Sequence, residues 1–116
     1  MNVSIFQNFN EVSENLTLPA VLALIQNGRY KKQVGKLREL LNSGDKQEYD
    51  RQKKSLPAFT PSATFTGGRK IEYLDKYNGF IILDLDKLPE DDLGSIKSIA
   101  CSVPFTFACF ISPSNV

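Results

Sequence analysis

Gly79-Phe80-Ile81-Ile82-Leu83-Asp84-Leu85-Asp86 is an apolar run that ends on two carboxylates separated by one leucine, and its reading decides the fold. Residues 80–85 are apolar at every position except Asp84, so a strand built from them needs cover on both faces. That predicts the centre of an α/β-type sheet. Side chains two apart on a strand share a face, which sets Asp84 and Asp86 roughly 6.5 Å apart along the chain. Two carboxylates at that spacing suit a bound divalent cation. The competing reading is that they cap the following turn or pair with Lys87, Arg69 or Lys70. Asp84 favours the cation, because a carboxylate set into an apolar strand is costly to desolvate unless a positive partner or hydrogen bonds compensate.

Downstream, Pro89 followed by Glu90, Asp91 and Asp92 marks a helix start, with acids where the helix dipole favours them. Leu93, Ile96 and Ile99 or Ala100 form its apolar stripe. Val103 to Ile111 is again strand-like, and it runs into Ser112-Pro113-Ser114. A strand, helix, strand unit over residues 80–111 follows. If its strands are parallel neighbours, Asp84, Asp86 and Ser112 lie at adjacent carboxyl ends, the edge where open sheets of this kind bind ligands.

Upstream, Gly67-Gly68-Arg69-Lys70 offers backbone N–H groups and a guanidinium to a phosphate, or is simply a tight turn. Residues 57–68 read as irregular chain or short strands. Phe59, Phe65, Tyr73 and Tyr77 serve the core or stack on bases. Three helices precede this stretch: one capped by Thr17, with Leu18, Val21, Leu22 and Ile25 inside; one from about Tyr30 with Val34, Leu37, Leu40 and Leu41 inside; and a polar one from Asp45 through Lys54. Residues 2–8, with Val3, Ile5 and Phe9, suit a short strand at a sheet edge. The sum is one α+β domain over 1–116, N-terminal helices leading into a strand, helix, strand unit of a mixed sheet.

The composition narrows the chemistry. Among 116 residues there are 14 basic and 13 acidic side chains and no histidine. The formal charge of +1 gives no overall field for nucleic acid or membrane, so any such contact is local. Without histidine, Ser-His and Cys-His machinery and imidazole-bound zinc are excluded from these residues. Cys101 and Cys109 lack the close pairing of a zinc or redox motif and are expected as buried free thiols. No segment reads as a membrane span or signal peptide, which predicts a cytoplasmic protein with no membrane partner.

Three segments in order carry a likeness: Lys53-Lys54-Ser55-Leu56-Pro57-Ala58-Phe59 with Thr64-Phe65-Thr66-Gly67-Gly68-Arg69, then Gly79 to Asp86, then Phe110-Ile111-Ser112-Pro113-Ser114. Together they resemble the BT4734-like N-terminal domain of virulence-associated E-like proteins of Bacteroides-type bacteria, a family that looks like a branch of the primase-polymerase superfamily. The resemblance implies that Asp84 and Asp86 are catalytic, metal-binding carboxylates for Mg²⁺ or Mn²⁺. It also implies that Ser112 and Ser114 begin a nucleotide-binding loop and that Arg69 matches an arginine position of the family's pattern. The family continues Ser-Pro-Ser-Gly-x-Gly-Leu-Lys, whereas here Asn115 takes the place of the first glycine and the sequence stops at Val116. The superfamily's later basic residue and third carboxylate are not among these residues, so the expectation is a truncated piece with a downstream domain in the same protein.

The function expected is nucleotide or DNA binding in DNA replication or mobile-element maintenance. The alternative is a non-catalytic nucleic-acid- or protein-binding module using basic helices at 29–38 and 46–54. A phosphohydrolase with Asp84 as nucleophile ranks third, because such pairs are usually followed by Gly or Thr and here Lys87-Leu88-Pro89 follows.

Overall fold

The computed structural model describes residues 1–7 and 11–114. Phe9, part of the expected N-terminal alternation, and Asn115, the departure from the family pattern, lie outside the described residues.

The N-terminal strand is the organising element. Strand β1 (Asn2–Phe6) sits between β2 (Val12–Thr17) and β3 (Ala58–Thr60), antiparallel to both, so the sheet order is β2-β1-β3. It is therefore central, where the sequence suggests an edge. Val3, Ser4, Ile5 and Phe6 are all buried. The alternation expected of a half-buried strand is absent because both faces are covered. On one face Val3 and Ile5 pack with Leu18 and Val21 of α1 (Leu18–Gln26), and Leu16, Leu22, Phe59 and Phe80 close around them. Thr17 caps α1 by accepting from the Ala20 N–H at 3.3 Å, with Pro19 in the first turn, as the sequence predicts.

The other face meets a second sheet, the hairpin of β4 (Ala63–Phe65) and β5 (Leu74–Tyr77). Phe6 packs edge-on against Phe65, with ring centroids 6.1 Å apart. Buried Ser4 joins the sheets: its hydroxyl donates to Asn15 Oδ1 at 2.6 Å and accepts from the Phe65 N–H at 2.8 Å. Helix α2 (Lys31–Asn42) buries Leu37, and α3 (Lys46–Lys53) buries Tyr49. Asp45 caps α3 through the Glu48 N–H at 3.2 Å.

The chain is an α+β fold, but its strand, helix, strand unit does not form. Neither residues 80–86 nor residues 103–111 are strands; only α4 (Leu93–Ser102), entered through a 3-10 turn at Glu90–Asp92, is regular there. The reason is the lack of a ladder. Among the described residues no backbone N–H from Ile81 to Leu88 donates to another backbone carbonyl, and without a ladder to a neighbour an apolar run is not a strand. Ile81 is 81% exposed, Leu83 83% and Phe105 95%. The stripe on α4 is also open at Ile99, and the element α4 touches most is the 3-10 turn that leads into it. The two apolar segments meet each other through Phe80 and Phe107, ring centroids 5.0 Å apart, and meet the packed region through Phe80 against the core and Phe110 against Phe59 of β3 at 6.4 Å. Cys101 is exposed and Cys109 half-buried, so the expectation of two buried thiols is corrected for the same reason.

Candidate phosphate site

Asp84 and Asp86 are exposed, and neither pairs with a lysine or arginine among the described residues. The desolvation argument for a cation at Asp84 therefore does not apply to this arrangement. Lys87 follows at once in a left-handed backbone conformation, φ 57°, which turns the chain just past the pair. In donor chemistry the pair suits a hard divalent ion, which takes one or two carboxylates and fills its remaining positions with water and substrate phosphate. No group of three or more His, Cys, Asp or Glu converges there among the described residues.

Ser112 and Ser114 are brought together, their hydroxyls 3.0 Å apart in a hydrogen bond. They are also placed against α2: Arg38 Nη2 donates to the Ser112 carbonyl at 3.2 Å. A sequence reading that takes the charges of α2 as a solvated face misses Arg38. A signal is present, because Arg38 stands four residues after Val34 and three before Leu41, on the stripe that points inward. The Nε of Arg38 is buried with no hydrogen-bond partner among the described residues. An unmet guanidinium donor costs free energy unless an acceptor reaches it. The Ser112 carbonyl is held by Nη2 of the same guanidinium and the Ser112 hydroxyl is bonded to that of Ser114, so Nε is the donor left for an oxygen of a phosphate or carboxylate, the anions whose geometry a guanidinium matches best.

The glycine pair has a structural explanation. Gly67 has φ 87°, where a side chain is strained, and a Cβ on Gly68 would stand 2.6 Å from the Tyr73 ring. The tight turn and close ring contact need both glycines without invoking a ligand. Arg69 beside them is exposed and already engaged in an interaction.

A second cationic surface runs between α2 and α3. Lys32, Lys36, Gln33, Arg51, Gln52 and Ser55 line a groove of about 390 Å³, and Arg29 and Lys31 extend the positive charge past the start of α2. Helix α2 has no acidic residue in its first turn. Glu48, on α3, is committed: it accepts from Arg51 Nε at 2.9 Å and from Gln52 Nε2 at 2.7 Å, and it forms an ion pair with Arg51 Nη2, while Glu39 lies among the cations of the adjoining stretch. These bonds, Arg51's first, hold the Glu48 carboxyl at about 2, well below its ordinary 4.5, and raise the Arg51 guanidinium in turn.

The family model described as BT4734-like, N-terminal domain matches residues 51–116, more than half of the chain. The match takes in Asp84, Asp86, Arg69, Ser112 and Ser114, whereas Arg38 lies before it. No curated protein and no solved structure matches the chain.

Proposed function

The chain belongs to the BT4734-like N-terminal domain family, and on that premise we propose that it binds the phosphates of a nucleotide or a DNA end as a primase-polymerase-like domain of DNA replication or mobile-element maintenance. The observation that carries this reading is Arg38, whose buried Nε lacks an acceptor among the described residues while its Nη2 holds the carbonyl of Ser112, the residue whose hydroxyl pairs with that of Ser114. Asp84 and Asp86 are its metal-binding carboxylates; Mg²⁺ or Mn²⁺ held there would screen phosphate charge and orient the nucleotide. Calorimetric titration with a nucleoside triphosphate, with and without Mg²⁺, tests it. A charge-assisted hydrogen bond of about 1.5–3 kcal/mol corresponds to roughly 10- to 100-fold in affinity, so Arg38→Gln should weaken binding by that factor. Asp84→Asn with Asp86→Asn should remove only the Mg²⁺-dependent part. Equal affinity of wild type and Arg38→Gln would reject the reading.

The α2–α3 groove favours a second reading, a module that tracks a single-stranded DNA backbone without chemistry. It expects binding that ignores chelators and falls with salt. Lys32→Gln with Lys36→Gln should reduce the slope of log K against log salt by about 1.4, since each phosphate contact on a single strand contributes about 0.7. An unchanged slope would remove the groove from consideration.

A further inference from the structure

Cys101 and Cys109 belong to no redox motif in the sequence, but the chain reverses between them. Helix α4 ends at Ser102, and the Ala100 carbonyl near its end accepts twice, from the Val103 N–H at 3.3 Å and from the Thr106 hydroxyl at 2.7 Å. The Thr106 N–H in turn donates to the Val103 carbonyl at 3.0 Å, closing a turn with Pro104 at the position whose φ a proline fixes beforehand. Residue 106 is thereby folded back onto residue 100. Beyond it the Cys109 side chain comes against that of Cys101, and the two thiols share a hydrogen bond. Lys97 lies one helical turn before Cys101 on the same face of α4, near enough for its charge to act on Cys109. Two thiols and a cation therefore meet at the end of α4, and none of them serves the phosphate site.

The two thiols differ in the way an exchange reaction needs. Cys101 is exposed and open to a reagent, whereas Cys109 is half-buried against it. Burial first, and then Cys101, raises the Cys109 thiol, while Lys97 acts in the opposite direction. The reaction therefore begins at Cys101 and is completed by Cys109. We propose that Cys101 and Cys109 form a redox modification site, at which a low-molecular-weight disulfide such as oxidised glutathione closes a reversible disulfide within the chain.

The Cys101 thiolate attacks one sulfur of the small disulfide, giving a mixed disulfide and releasing one small thiolate. The Cys109 thiolate then attacks the Cys101 sulfur, and the second small thiolate leaves. Two electrons pass from the cysteine sulfurs to the small disulfide, and the two cysteine protons end on the released thiols. The new bond ties the end of α4 to the chain that leads on to Ser112. The site rests on thiol chemistry alone and holds whether or not Arg38 receives a phosphate.

Equilibration of the protein in a glutathione redox buffer, with acid quenching and intact-mass measurement, tests it. The wild type should lose about 2 Da, the two thiol hydrogens, run as a monomer on a non-reducing gel and regain its mass with dithiothreitol. A chymotryptic digest should contain peptides joined through Cys101 and Cys109. Cys109→Ser should stop at the mixed disulfide on Cys101, and Cys101→Ser should react at least about tenfold more slowly than Cys109→Ser. Because a short loop also closes in an unfolded chain, the effective concentration of Cys109 at Cys101 is measured in buffer and in urea. The folded value should be at least about tenfold higher, and Thr106→Val should lower it toward the unfolded one. A wild type that stops at the mixed disulfide, links between chains, reacts first at Cys109, or closes no better in buffer than in urea would overturn the proposal.

Discussion

β1 and the run from Ile81 to Leu85 have similar side chains and opposite fates. Both are short, largely apolar and β-prone, yet β1 lies between two antiparallel neighbours with all of its last four residues buried, while 81–85 stands unpaired among the described residues and open. The difference lies in the surroundings: β1 has β2 and β3 within reach and α1 to cover it, and 81–85 has no partner strand among the described residues. Apolar composition states a demand for cover; pairing partners decide whether it is met.

The sharpest way to break this comparison is to truncate one phenylalanine in each region. Phe6→Ala opens a cavity between the sheets and should cost about 3–5 kcal/mol in denaturant unfolding. Phe105→Ala, at a side chain 95% exposed, should change stability by less than about 0.5 kcal/mol. Similar losses at both sites would show that the C-terminal segment is packed in solution.

Ser4→Ala comes next in size. It takes the acceptor of the Phe65 N–H away at a fully buried side chain, which should cost about 1–3 kcal/mol; Ser13→Ala, whose hydroxyl donates to the Ile5 carbonyl nearer the surface, is its control. A neutral Ser4→Ala would mean that the two sheets are not joined there.

Acid addresses the helical side of the packed region. Because the Glu48 carboxyl is lowered from 4.5 to about 2 in the folded chain, its contribution is present above pH 4.5 and is lost as pH falls toward 2. Far-UV circular dichroism should therefore show α3 fraying over that window in the wild type, and Glu48→Gln should flatten the response. The smallest effect expected is at the thiols. Burial first, and then Cys101, raises the Cys109 thiol, so iodoacetamide at mildly alkaline pH should modify exposed Cys101 faster than Cys109. Equal rates would place Cys109 in the open as well.

Much of the packed region is legible in the sequence. Thr17, Pro19 and the Asn27-Gly28 stop delimit α1, and Asn42-Ser43-Gly44 with Asp45 separates α2 from α3, because caps and breakers act locally. Strand β2 is not legible: Ser13, Glu14 and Asn15 have no strand signature, and they pair because β1 needs a neighbour. For residues 80–86 the opposite holds, a strong strand signature without a mate. The site shows the same division. Ser112 and Ser114 are readable as a hydroxyl loop and do meet, whereas Arg38 joins them across 74 residues of sequence, a contact that no local pattern reports.

The central claim is that an anion is received by Arg38 with Ser112 and Ser114, and NMR titration with a nucleoside triphosphate tests it most directly. The Arg38 Nε–H resonance and the amides of residues 112–114 should shift together and saturate at one affinity. Shifts confined to Arg29, Lys32, Lys36 and Arg51, with the Arg38 Nε–H unmoved, would contradict it.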